Sequence, residues 1–139
     1  MKDSIITLAK LAAEVKVIES VTHTALTSNY NLTTDVTAFI TQNITLSAQR
    51  YCLFLFNGNY MGTTGASNLI LSLYDGATYL GDRTVASSVW LDLTVTLTAF
   101  KQLASGAHTI YVKVAGNSGA FLGHASDYYT HLTTIVFAF

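Results

Sequence analysis

Apolar and polar residues alternate along most of this chain with a period of two, which sends successive side chains to opposite faces of a strand. In "VTAFITQNITL", Val36, Ala38, Ile40, Ile44 and Leu46 share one parity, while Thr37, Phe39, Thr41, Asn43 and Thr45 share the other. In "LDLTVTLTAF", Leu91, Leu93, Val95, Leu97 and Ala99 point one way and Asp92, Thr94, Thr96 and Thr98 the other. The alternation breaks at Gly106 and resumes, with Ile110, Val112 and Val114 facing in and Tyr111 and Lys113 out. Residues 92–114 therefore predict two antiparallel strands and their connection. "NLILSLYDGATYLGD" predicts a hairpin whose turn is Asp75-Gly76, a pair that favours a type I′ turn.

Two segments are apolar on both parities. "RYCLFLFNGNY" sets Cys52, Phe54 and Phe56 against Tyr51, Leu53 and Leu55, and "HLTTIVFAF" sets Ile135, Phe137 and Phe139 against Val136 and Ala138. A strand of that kind is covered on both sides. A bare apolar edge aggregates, so the second segment is expected at the centre of a sheet. One of its faces belongs to the core and the other to neighbouring subunits. About eight such strands in roughly 115 residues predict an all-β, antiparallel β-sandwich of the jelly-roll type. That domain is expected over residues 23–139.

The first residues read differently. Six of the fifteen charged residues fall within residues 1–19. Leu8, Leu11, Val15 and Ile18 follow a 3-4-3 spacing, the seam of a coiled coil, and Asp3 or Ser4 can cap a helix there. A helix this short needs partner chains or its own domain to hold it. β-branched residues in "VKVIESVTHT" predict that it gives way to a strand between Val15 and Val21. Residues 1–22 are accordingly expected to be an anchoring segment, as a short helix or an extended arm. Lys10 and Glu14 interrupt its apolar stretch, so no secretory signal is expected.

Composition narrows the chemistry. Only 11% of the residues are charged and the net charge is −1, so neither nucleic acid nor an anionic membrane is an expected partner. With 20 threonines, hydroxyl groups or other subunits must cover the surface. No apolar run is long enough for a membrane-spanning helix. Cys52, the only cysteine, reads as a small core residue. His124, Asp127 and His131 lie close together but fit no metal template. His108 reads as a hydrogen-bonding residue at a turn, and no serine sits in a nucleophile elbow. No cofactor and no enzymatic activity are expected. The glycines of "NGNYMGTTGASN" lack the lysine and helix of a phosphate loop and read as a long flexible connection. Tyr60, Trp90, Tyr128 and Tyr129, with Tyr79, are the aromatic candidates for contacting a sugar or a protein, against the alternative that they fill the core or an interface.

"LTAFKQLASGAHTIYVKV", the terminal "SDYYTHLTTIVFAF" and the short helical N-terminus together resemble the small jelly-roll domains of phage and viral virions, in head fibres, decoration proteins and tail-fibre tips. These are similar to the trimeric tumour-necrosis-factor-like fold. The resemblance implies a homotrimer on the virion surface, made in the host cytoplasm and bound to capsid or tail proteins through its N-terminus. It implies a trimer interface at the C-terminal strand, with Ile135, Phe137 and Phe139, and Leu53 and Leu55 beside them. The Gly-x-His-Thr stretch at Gly106 also resembles a feature of carbohydrate-binding β-sandwich modules, which implies a host glycan or receptor as an alternative partner.

Overall fold

The computed structural model describes residues 17–32, 37–61, 67–87, 92–116, 121–123 and 130–139. These form ten strands: β1 (Ile18–Ala25), β2 (Tyr30–Asn31), β3 (Thr37–Leu46), β4 (Arg50–Met61), β5 (Ser67–Asp75), β6 (Thr78–Ser87), β7 (Asp92–Leu103), β8 (Gly106–Gly116), β9 (Phe121–Leu122) and β10 (His131–Phe137). The eight long strands make two antiparallel sheets. Sheet A runs β1-β10-β4-β7, and sheet B runs β3-β8-β5-β6. Two interleaved Greek keys give this order in an eight-stranded jelly roll. The short β2 and β9 extend the β10 side of β4, with β9 pairing Tyr60 and Met61.

Period-two alternation builds the core. Cys52, Phe54 and Phe56 from β4, with Val95, Leu97 and Ala99 from β7 and Leu132 and Val136 from β10, meet Ile40, Ile44, Leu69, Leu71, Leu73, Ile110, Val112 and Val114 of sheet B. Burial pushes the Cys52 thiol up to about 11, with smaller contributions from the Asp75 and Glu19 carboxylates, which leaves it protonated and inert. Gln42, on the same parity as Ile40, is buried as well. Its Nε2 lies 3.2 Å from Thr22 O, 3.1 Å from Thr24 Oγ1 and 3.4 Å from Leu132 O, tying β3 to β1 and β10.

Several expectations are corrected by pairing. β7 and β8 do not pair with each other: β7 lies against β4, and β8 lies between β3 and β5. The segment around Gly106, with φ +125°, carries the chain from one sheet to the other. The β5–β6 turn is Gly76-Ala77, because Asp75 pairs with Thr78. Gly76 alone has positive φ there, which fits a type II′ sign pattern and not type I′. A register shift between Ala38 and Ile40 turns Phe39 off the threonine face, and its ring packs 5.2 Å from Tyr30 and 5.9 Å from Phe56.

At the N-terminal end, Ile18 is in strand β1, paired with Phe137, and is not a helical seam position. Residues 18–22, expected in the anchoring segment, are thus part of sheet A. Leu8, Leu11 and Val15 lie outside the described residues. Gly58 lies within β4, not in a loop; a Cβ there would sit 2.8 Å from the Phe56 ring, which occupies the space above it.

Candidate functional site

On the outer face of sheet A, β4 and the C-terminal half of β10 are apolar on the parity that faces away from the core as well as on the core parity. Register aligns that second parity into rows. Val21 pairs with Ile135, Ile135 with Leu53, and Leu53 with Phe100, so one apolar row crosses all four strands. Opposed side chains in such rows are neighbours, with Cβ atoms roughly 4.5–5.5 Å apart. Beside this row lies an aromatic cluster. Tyr51 stacks on Phe100 at 5.3 Å and 4°, Phe137 meets Phe100 edge-on at 5.9 Å, and Phe139 lies 5.4 Å from Phe137 and 6.0 Å from Tyr51.

Much of this surface is open in a single chain: Val21 is 57%, Phe100 52% and Phe139 64% exposed. Val17 and Ile18 are exposed at its margin, and Leu53, Leu55, Ile135 and Phe137 are half-buried. The five residues expected at a subunit interface, Ile135, Phe137, Phe139, Leu53 and Leu55, therefore fall on one continuous face. Val21, Tyr51 and Phe100 complete it. Tyr51 shares the parity of Leu53, and Phe100 sits on the threonine parity of β7, so both carried a signal in the sequence. Val21 joins only through the β1–β10 pairing.

Along the strands the face becomes polar. The next row is His23, Thr133, Leu55 and Thr98, and the one after is Ala25, His131, Asn57 and Thr96. There Leu55, Phe56, Asn57, Thr96, Thr98, His131 and Thr133 line a concavity of about 290 Å³. The His23 and His131 rings are 4.9 Å apart, and His23 Nδ1 lies 2.9 Å from Thr133 Oγ1. Arg50 forms an ion pair with Glu19, which also accepts a 3.3 Å hydrogen bond from Ser47 Oγ.

The ion pair between His108 and Asp75 is structural. His108 Nδ1 lies 2.6 Å from Asp75 Oδ2, and Nε2 lies 2.9 Å from Ala104 O. Both partners are acceptors, so the ring donates from both nitrogens only as the imidazolium. Burial opposes that charge, yet the bonds to Ala104 O and Asp75 raise the pKa above 6.5. With both nitrogens engaged, the ring offers no free nitrogen to a nucleophile. It ties β8 to the end of β5, as expected for a hydrogen-bonding residue at a turn.

Of the other candidate positions, Tyr60 is 0% exposed in the core, its backbone in register with Leu93 on one side and Leu122 on the other, so it presents no ring to a ligand. It falls on the core parity of β4 with Phe54 and Phe56. Trp90, Tyr128, Tyr129, His124 and Asp127 lie outside the described residues. Among the described residues no group of three or more His, Cys, Asp or Glu side chains is placed to hold a metal.

No protein-family model and no curated protein matches this sequence. Similar solved structures exist at low identity. The VP2 protein of infectious bursal disease virus, in a subviral particle, is 11% identical with a TM-score of 0.54 over 84% of this chain. This chain spans about a third of VP2, 32% of its length. The Eiger TNF from S. frugiperda is 10% identical with a TM-score of 0.37, over 83% of this chain and 93% of that one. The likeness to VP2 is one of fold, and it agrees with the resemblance to viral jelly-roll domains drawn from the sequence.

Proposed function

We propose that this chain is a non-enzymatic structural protein of a virion surface. It assembles as a homotrimer through the outer face of sheet A and attaches to the particle through the segment ahead of β1. The observation that carries the reading is the continuous apolar face from Val21 through Ile135 and Leu53 to Phe100, with its aromatic cluster. Soluble monomers seldom leave such a patch open, and covering it with identical copies closes it by symmetry. The trimeric state and the N-terminal attachment follow the virion jelly rolls that the sequence resembles. The VP2-like fold supports that resemblance.

Light scattering tests the assembly on the full chain and on a version lacking residues 1–16. A trimer in both places the interface within the sandwich and leaves the N-terminus for attachment. A monomer in both overturns the reading. Antibody labelling of intact particles tests the surface location, since a surface protein is labelled without disrupting the virion.

A further inference from the structure

The outer face of sheet B holds one aromatic row. Tyr79 of β6 pairs with Tyr74 of β5, Tyr74 pairs with Tyr111 of β8, and Tyr111 pairs with Thr41 of β3. Leu80, Leu73, Ile110 and Val112 are buried, so the tyrosines on the opposite parity turn away from the core. The Tyr74 and Tyr79 rings are 5.7 Å apart at 71°, and Lys113 Nζ lies 4.3 Å from the centre of the Tyr74 ring. Tyr79 is 53% exposed. Around the row the face carries short hydrogen-bonding groups: Ser72, Thr41, and the pair in which Thr109 Oγ1 donates to Asn43 Oδ1 at 3.1 Å.

We propose that this row is a binding platform for an acidic saccharide, a pyranose chain bearing a carboxylate. Aromatic rings offer an apolar face to the C–H side of a pyranose while phenol hydroxyls reach its hydroxyl groups. Neighbouring strands lie about 4.8 Å apart, so three adjacent tyrosines span roughly 10 Å, the reach of about two sugar rings. The Lys113 ammonium, held against Tyr74 by the ring quadrupole, stands beside the row as the partner for a carboxylate. A protein interface of the kind on sheet A would bring aliphatic residues into the row. Here the neighbours are mainly threonine, serine, asparagine and lysine, with Asp82 paired opposite Ser72 and a single exposed aliphatic, Ile70, further along β5. The platform lies on the opposite side of the sandwich from the apolar face, so it stays open when copies cover sheet A.

The test is binding of the full chain to an array that carries sialyllactose, oligouronates and, as a neutral control, maltohexaose, followed by titration of the best binder. Light scattering is run on the same samples. The expected result is preference for the acidic saccharides, with affinity reduced about tenfold or more in both Tyr79→Ala and Lys113→Met. Neither substitution touches the core, so the oligomer mass stays that of the unsubstituted protein. No binding, or binding that Tyr79→Ala leaves intact, overturns the proposal. A change of oligomer mass in Tyr79→Ala makes the row a contact between copies and overturns it too. A monomer that still binds through Tyr79 sinks only the trimer reading; a trimer that binds no saccharide sinks only this one.

Discussion

The two outer faces of the sandwich are made the same way and look different. On sheet B the out-facing parity of β3 is Thr41, Asn43 and Thr45, and that of β8 is Thr109, Tyr111 and Lys113. Such a face is hydrated by its own hydroxyl, amide and ammonium groups. On sheet A the corresponding positions of β10 and β4 are Ile135 and Phe137, and Tyr51, Leu53 and Leu55. Both sheets bury equally apolar inner faces, so the core does not explain the difference. It lies in what each sheet meets on its other side. A face rich in threonine needs only water, whereas a row of valine, isoleucine, leucine and phenylalanine needs another apolar surface.

A charge placed on each face in turn is the sharpest way to break this comparison. Ile135→Asp puts a carboxylate into the middle of the apolar row. Inside a buried interface an unpaired charge costs several kcal/mol, so the oligomer should dissociate to folded monomers, read as mass by light scattering and as retained β-sheet signal by circular dichroism. Thr45→Asp on sheet B is the matched control and should leave the mass unchanged. An intact oligomer in Ile135→Asp removes sheet A from the interface.

Phe100→Ala has a smaller expected effect. It deletes the ring that joins Tyr51 to Phe137 while leaving the backbone pairing with Leu53. Dilution measurements should show association weakened by about 1–3 kcal/mol per subunit, with little change in the melting of the dissociated chain. If thermal stability of the monomer falls by as much, the aromatic cluster acts within the fold and not between copies.

The smallest effect is expected at the His108–Asp75 tie, which lies at the end of β5 next to Tyr74 and away from the apolar face of sheet A. The folded pKa of His108 is raised, so the tie stabilises the fold fully below the unfolded value of about 6.5 and is lost as pH rises through the folded pKa. Urea unfolding between pH 5 and 9 should therefore show stability declining from near pH 6.5 upward, and Asp75→Asn should flatten that decline. An unchanged profile in Asp75→Asn would mean that Ala104 O alone holds the ring.

Much of the architecture was legible in the chain itself. Parity alone separated Val95, Leu97 and Ala99 from Thr94, Thr96 and Thr98, and it marked β4 and β10 as strands covered on both faces. The same signal placed Ile135, Phe137, Leu53 and Leu55 together opposite the core. Other residues misled for identifiable reasons. Tyr60 looked like a loop aromatic because Gly58 and Asn59 read as turn residues, yet Gly58 serves the strand by making room for the Phe56 ring. Ile18 fitted a heptad seam by spacing, while its β-branched neighbours and β10 drew it into a sheet.

Alternation is a local property of a pleated strand, and so the sequence by itself determined which residues of most long strands face inward and which faces lack polar cover, and it came close to the number of long strands, though not to the short β2 and β9. Partner and register are not local. Nothing in residues 92–114 distinguishes a hairpin from a crossing between sheets, because either connection satisfies the same parity. Only the packed sandwich set β7 beside β4 and β8 beside β5. That pairing aligned Val21, Ile135, Leu53 and Phe100 into one row and Tyr79, Tyr74 and Tyr111 into another. Both candidate surfaces are composed across strands far apart in sequence, and such rows exist only once the long-range backbone ladder has fixed which residue stands opposite which.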